Sequence, residues 1–534
     1  MKKYRKTYLA ILLLLATALG ACGAAKTDEA ETAENAAKEA DTITLTVFDK
    51  NSGTDTFTDA VAMEIMERTG VKIEVVDPSA EPEEKLRIML SNKSYPDIVL
   101  MEQGEMVNRY IEAGALLPLD TLIENYGPDI QEMYGDTLNR SRYTDGQIYW
   151  LANWYGADPD ASAGILMRRD LLAEIVGEER ANSSEPFTQS EYTQILLEFK
   201  KKFPELEGVS SIALELDNDA ENYVSSLRGM NGLKTYAAGE DGSLHYLYAT
   251  EEWKEALLYL NELYEQELMD KNWIINKSDR WEELCSSGCV FSTWGSYWDT
   301  TEINTALREN VGEEAQFYCY KVVADGLTAD QTTYNGRNGL GWDAIGITDN
   351  CQNPEAAIKV ANFLASEEGQ YLMLWGIEGA NWSYQNGVRT PSQSFLREWK
   401  RNPEATERVT GVRRWTWFIK NGDGSDGTPY DVTTKYAPDE TTEFANSCFG
   451  ESDYWDTSEY SGLEPTGNTE LGLKWQKIED LYQQYYYKIV TASGQSEAEN
   501  YYDKMVLEME INGLAECEAY INEQYQLRLQ SWAE

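Results

Sequence analysis

Between Thr42 and Met101 the hydrophobic pattern changes period four times, and this alternation narrows the folds open to the chain. Thr42 to Phe48 (TITLTVF) alternates apolar and polar residues and is rich in β-branched side chains, which predicts a strand. Phe57 to Thr69 places Val61, Ile65 and Met66 at helical spacing. Val71 to Val76 (VKIEVV) predicts a second strand and Pro82 to Asn92 a second helix. Ile98 to Met101 predicts a third strand, directly after Tyr95-Pro96-Asp97. A βαβαβ start calls for a mostly parallel sheet covered by helices. Ligands of such sheets bind beyond the carboxyl ends of the strands, at a switch point. Asp49 to Ser52 and Glu102 to Glu105 are therefore expected beside any site, with Asp49 and Gln103 as candidate contacts.

Ahead of this pattern the chain reads MKKYRKTYLAILLLLATALGAC. Lys2, Lys3, Arg5 and Lys6 precede the apolar run Leu9 to Leu19, and the small residues Gly20 and Ala21 lead to Cys22. A charged start, a short apolar run and a small-residue end predict a secretory signal over residues 1–21. The run is shorter than the ~20 apolar residues that cross a bilayer. Leu19-Gly20-Ala21-Cys22 resembles a bacterial lipobox, which implies a lipid on the Cys22 thiol and cleavage just before it. Residues 22–41 then form a lipidated Cys and a tether. Its Ala, Glu and Thr cannot bury enough surface to offset ordering entropy, so flexibility is expected. The expected location is the extracellular face of the cytoplasmic membrane, touched through the lipid anchor only.

Charge and residue usage exclude several function classes. The formal net charge is −47, and loss of the signal removes four positive charges and no negative one, giving −51. Nucleic acid and anionic lipid surfaces both need basic patches, so neither is an expected partner. His245 is the single His, which leaves no basis for a His general base or a His-rich metal site. Cys285-x3-Cys289 lacks a second pair, and the six Cys beyond Cys22 are open to either disulfides or buried thiols. Asn421 to Gly427 (NGDGSDG) has Asp426 and Val432 where a calcium loop wants Gly sixth and Glu twelfth, and reads as a surface turn. Asp217-Asn218-Asp219 is a weaker match still. No Walker or dinucleotide Gly loop is present, and no metal or cofactor is expected.

Aromatic residues supply the remaining candidates. Tyr and Trp number 34 and 16, and their polar handles suit partly wet sites. Cys289 to Thr300 (CVFSTWGSYWDT) holds Trp294, Tyr297 and Trp298. On a helix Trp294 and Trp298 share one face at i, i+4. Tyr149 to Gly156 (YWLANWYG) offers Asn153, Trp154 and Tyr155. Gly339 to Ile347 (GLGWDAIGI) places Trp342, for stacking, beside Asp343, for accepting hydroxyls. Alternation along Val412 to Phe418 (VRRWTWF) predicts one strand face bearing Arg413, Trp415 and Trp417, suited to an acidic sugar or to surface cation–π packing. Trp382 and Trp475 are single-residue candidates. For the Trp294, Tyr297 and Trp298 cluster the competing reading is core packing, and for Trp342 it is a Trp that caps the sheet.

The order of segments resembles a known family. RTGVKIEVV (Arg68–Val76), YPDIVLM (Tyr95–Met101) and AGALLPLDTLIENYGPDI (Ala113–Ile130) are followed by DGQIYWLAN (Asp145–Asn153) and ILMRRDLLAEI (Ile165–Ile175). SSGCVFSTWGSYW (Ser286–Trp298) and NPEAAIKVANFLASEEGQYLMLWGIEG (Asn353–Gly379) continue the series. This order resembles the bacterial extracellular solute-binding proteins of family 1, lipoproteins that serve ABC importers. Gly288 to Ser292 (GCVFS) departs from the family's Gly-x-Ala-Ala-Met, so ligand-facing residues there do not transfer. The resemblance implies an α/β, two-lobe, periplasmic-binding-protein-like fold with a ligand cleft between the lobes. Lobe one is expected at 42–155 with a return at 300–380, and lobe two at 156–299 and 381–534. The implied function is capture of a small-molecule solute, an oligosaccharide in expectation, for ABC permease subunits, with no bond made or broken. A secreted carbohydrate-active enzyme (lyase or glycosidase) and a peptide-binding lipoprotein are the alternatives. A glycosidase needs only two suitably spaced carboxylates.

Overall fold

The structure is a computed structural model that describes residues 43–51, 56–76, 81–156, 163–218, 222–415, 417–437, 439–450, 453–467 and 469–533. The signal, Cys22 and the tether lie outside the described residues. Two sheets organise the rest. In chain order their strands are β1 (Ile43–Asp49), β2 (Val71–Val76), β3 (Ile98–Glu102), β4 (Leu151–Ala152), β5 (Ile165–Arg168), β6 (Ile212–Leu214), β7 (Val290–Trp294), β8 (Phe317–Tyr320) and β9 (Asp343–Ile347).

The first sheet has the order β2-β1-β3-β9-β4. β1 runs parallel to both neighbours, with Val47 opposite Val75 on one side and Ile98 on the other. β9 runs antiparallel to β3 and β4, with Ile345 opposite Leu100 and Leu151. The helix after β1 spans Ala60–Thr69, starting later than its apolar spacing predicts. Asp59 sets that start, because its carboxylate accepts the Ala62 N–H at 2.8 Å. Gly70, at φ 68°, ends the helix in the left-handed conformation that glycine adopts without strain. Leu45, Val47, Leu100 and Ile345 share one core with Ile358, Leu364 and Trp375.

The second sheet has the order β6-β7-β5-β8 and is mixed. β6 and β7 are parallel, whereas β5 is antiparallel to both β7 and β8. Its core joins Phe199, Trp253, Trp273 and Phe291 to Ile478, Tyr482 and Met505 of the C-terminal helices Glu470–Val490 and Gln495–Ile511. The other face of the first sheet packs Phe48, Val99 and Met101 against Leu86 and Tyr110. One α/β lobe thus forms around each sheet.

The lobe boundaries correct the expected ones. β8, at 317–320, belongs to the second sheet, where all four side chains are buried against β5. The return to the first lobe therefore comes after Asn335–Arg337, not at 300. Residues 381–437 also change sides: Trp382, Phe395, Trp399 and Val432 are buried in the first core. Apolar segments join whichever core covers them, and local sequence does not name that core.

The six described cysteines, Cys285, Cys289, Cys319, Cys351, Cys448 and Cys517, are buried free thiols. Burial pushes the Cys351 thiol up to about 11. Among the described residues no helix is long and apolar enough to cross a membrane.

One buried acid gives the second lobe a pH dependence. Glu215 follows β6, is fully buried, and accepts from Asn276 Nδ2 at 2.9 Å. Burial pushes its carboxyl up to about 8; the Asn276 hydrogen bond opposes this and Asp270 adds to it. The unfolded chain releases this proton near 4.5, whereas the folded chain holds it to about 8. The folded state thus binds more protons across that window. Its stability contribution is complete below the lower value and is lost as pH rises to the upper one, by at most ~1.4 kcal/mol per pH unit. Glu215→Gln is expected to flatten this fall and to exceed the parent in stability at pH 8. Urea denaturation at several pH values checks it, and parallel curves for the two proteins would refute it.

Candidate functional site

The carboxyl ends of β1 and β3 carry Asp49-Lys50-Asn51 and Glu102-Gln103. Because β9 is antiparallel to β3, its first residue, Asp343, comes to the same edge opposite Glu102. The exit of β4 brings Asn153 and Trp154 there as well. Asp343 is fully buried, with Lys50 Nζ 3.1 Å from Oδ1 and Asn51 Nδ2 donating to Oδ2. Burial raises its carboxyl above the usual range, opposed by Lys50 and Asn51. Asp343 was expected to accept ligand hydroxyls; the structure instead commits it to holding Lys50 and Asn51.

Two amide side chains lock the loop leading into β9. Gln103 Nε2 donates to the carbonyls of Leu340 (2.9 Å) and Asp343 (3.2 Å), and its Oε1 accepts from Asn338 Nδ2 at 3.0 Å. Asn153 Oδ1 accepts the backbone N–H groups of Trp342 (3.3 Å) and Asp343 (2.9 Å). Gly341, at φ 73°, packs so closely that a Cβ would stand 2.6 Å from the Trp154 carbonyl and 2.7 Å from Asn153 Oδ1. The loop presents the Trp342 side chain, 46% exposed, with the Trp154 ring tilted against it at 5.4 Å. Asn153 Nδ2 and Trp154 Nε1 are buried donors without a partner. An unmet buried donor costs about 1–3 kcal/mol.

On the second lobe, the carboxyl end of β7 divides the aromatic cluster of Cys289–Thr300. Trp294 is the last strand residue, 1% exposed, and its Nε1 donates to the Tyr192 hydroxyl at 3.0 Å. It belongs to the core, which corrects its expected place in the cleft. Ser296 then caps a 3-10 turn over Tyr297–Thr300, its N–H donating to Asp299 at 2.8 Å. Trp294 and Trp298 therefore sit on different elements and share no helix face. Trp298 is 40% exposed, Tyr297 meets it edge-on at 4.9 Å, and the Arg337 guanidinium lies 5.1 Å from the Trp298 ring centre. Tyr297 is half-buried against the second core.

Arg337 lies on the crossing strand Asn335–Arg337, which runs parallel to Tyr454–Asp456. Asp456 accepts the Gly339 N–H at 3.0 Å and pairs with Arg140 of the first lobe. Arg337 and Trp342 are five positions apart, a span of at most about 18 Å. The two half-exposed indoles thus border one crossing segment, one from each lobe.

The other candidates face inward. Tyr155 is buried and stacked on Tyr134 at 3.8 Å. Residues 412–414 form a turn rather than a strand, with Arg413 at φ 62° and 3.2 Å from Asp431. Trp415 and Trp417 are buried around Phe57 and donate to Asp59 (2.6 Å) and Asp49 (2.7 Å). Asp49 is thereby committed to Trp417 and to the Asn51 N–H at 2.9 Å. Trp382 and Trp475 are buried in the first and second cores. In the 421–427 loop, Gly424 N–H donates to the Thr428 carbonyl at 2.8 Å and Asp426 accepts from Arg389 at 2.8 Å, which makes a pinned turn. Sequence reasoning overlooked Arg337 and Asn338; the Gly- and Asn-rich run NGRNGLG was the available signal.

Comparison with known proteins places this architecture. The family model of the bacterial extracellular solute-binding proteins matches residues 50–371, more than half of the chain. The chain belongs to this family. The polygalacturonan/rhamnogalacturonan-binding protein YtcQ of Bacillus subtilis is 21% identical over 71% of this chain and 74% of its own. Lipoprotein LipO of the same organism is 23% identical over 73% of this chain and 76% of its own. An HMO-binding, ABC-transporter-associated solute-binding protein from Bifidobacterium longum infantis superposes with a TM-score of 0.66 at 15% identity, covering 91% of this chain and 99% of that one. The family is one of solute-binding proteins, and this solute-binding protein shares the fold of the Bifidobacterium protein.

Proposed function

We propose that this solute-binding protein captures an oligosaccharide outside the cell and presents it to ABC permease subunits, making and breaking no bond. One observation carries the reading: Trp342 on lobe one and Trp298 on lobe two are half-exposed beside the segments that cross between the lobes. A sugar ring offers an apolar face to an indole and a rim of hydroxyls to polar groups. Lys50, partly exposed at the end of β1, is placed to meet such a rim. A ligand touching both lobes favours the closed arrangement by its extra contacts there, and a few residues of the crossing strands absorb the rotation. The glycan ligands in the names of YtcQ and the Bifidobacterium protein support this ligand class. The lipobox-like Leu19 to Cys22 and the lipoprotein relative LipO support anchoring through Cys22 at the extracellular face of the membrane.

Thermal shift with a panel of oligosaccharides, followed by chromatography of the recovered sugar, tests the proposal. Binding at one hundred times Kd adds about 2.7 kcal/mol, so a bound sugar raises the melting temperature and is recovered intact. Turnover of the sugar, or a shift with peptides alone, would overturn it.

A further inference from the structure

We propose that the cleft selects uncharged glycans over glycans bearing uronic acids, with Glu102 at the end of β3 as the residue that sets the choice; this rests on the oligosaccharide reading above. At the lobe-one edge the Lys50 ammonium lies between two carboxylates, Asp343 at 3.1 Å and Glu102 at 3.9 Å. Asp49, one residue earlier, brings a third carboxylate to the end of β1. A sugar carboxylate placed here would be the fourth anion beside one ammonium that is already balanced.

Glu102 is the member of this group that meets an incoming ligand. Its side chain is 63% exposed, whereas that of Asp343 is fully buried and that of Lys50 is 16% exposed. A neutral hydroxyl or ring oxygen escapes the repulsion. Lys50 has three N–H donors, and Asp343 engages one direction, so further donors meet a sugar oxygen with no change in charge. The far wall does not reverse this balance. Arg337 lies over Trp298 and Arg140 pairs with Asp456, but Asp299 follows Trp298 and Asp456 also stands opposite Arg337 in the crossing-strand register, so two guanidinium groups are matched by two carboxylates. The chain's net charge of −47 has the same sign, although salt screens it beyond roughly 10 Å. Charge of this kind acts on partner choice more than on total affinity.

Calorimetric titration at low and high salt tests the proposal, using trigalacturonate against maltotriose, cellotriose, xylotriose, galactotriose and 1-kestose. The wild-type protein is expected to bind at least one neutral sugar, with trigalacturonate at least ~10-fold weaker. Glu102→Gln is expected to raise the ratio of acidic to neutral affinity about 10-fold at low salt and less at high salt. Its melting temperature is expected to match the parent, because Glu102 stands 3.9 Å from Lys50 and most of its side chain is in water. Trigalacturonate binding more tightly than every neutral sugar would overturn the proposal. So would an affinity ratio that Glu102→Gln leaves unchanged. If no glycan of either class binds, the oligosaccharide reading itself fails, a result distinct from either of these.

Discussion

Trp342→Ala is expected to weaken oligosaccharide binding about 30-fold, near 2 kcal/mol, while the melting temperature moves by less than about 2 °C. The two effects separate because of where the indole sits. At 46% exposure it contributes little buried area to the fold. The loop beneath is held by backbone and side-chain amides, through Gln103 and Asn153, and these survive the substitution. What disappears is an exposed flat apolar face already held in place by that loop, so in the proposed site the ligand loses a contact for which no ordering cost was being met. Calorimetry with the sugar that gives the largest thermal shift, alongside thermal unfolding, measures both quantities. Unchanged affinity would remove Trp342 from the site. A large fall in melting temperature would make it a packing residue.

Trp294→Ala is expected to do the reverse and cost about 3–5 kcal/mol of folding stability. This indole is 1% exposed in the second core, and its N–H is bonded to the Tyr192 hydroxyl, which also pairs with Ser292 at 2.8 Å. Truncation removes the ring, leaves a large cavity and takes a donor from a buried network. Trp294→Phe keeps most of the volume but not the N–H, so it is expected to fall between parent and Ala. Urea denaturation gives the stabilities, and affinity of the folded fraction gives the second readout. A loss below about 1 kcal/mol with a tenfold fall in affinity would return Trp294 to the cleft.

Trp294 and its half-exposed neighbour Trp298 lie four positions apart in one aromatic cluster, and nothing local distinguishes them. The same holds for Trp342 against Trp415 and Trp417. The N–H of a buried Trp usually finds an acceptor. Trp415 finds Asp59 356 positions away and Trp417 finds Asp49 368 positions away. The alternation in VRRWTWF suggested a strand, but Arg413 adopts φ 62°, which turns the chain. Asp343, Gln103 and Asn153 were singled out as contacts from residue type and position. Their hydrogen bonds make Gln103 and Asn153 supports for the Trp342 loop and Asp343 the anchor of Lys50 and Asn51.

Short-range pattern was enough to establish the order of strands and helices at the start of the chain, the parallel pairing of β1 with β2 and β3, and the strand ends where Lys50 and Gln103 stand. Those properties depend on hydrophobic period and on caps such as Asp59 and Gly70, which act within a few residues. Lobe membership of residues 300–334 and 381–437, and the sorting of indoles between core and surface, required the folded chain. β8 could be assigned only by its pairing with β5, and Trp382 only by the core that covers it. Burial and N–H pairing are settled by groups brought together from distant parts of the chain, and no local period records which groups will meet.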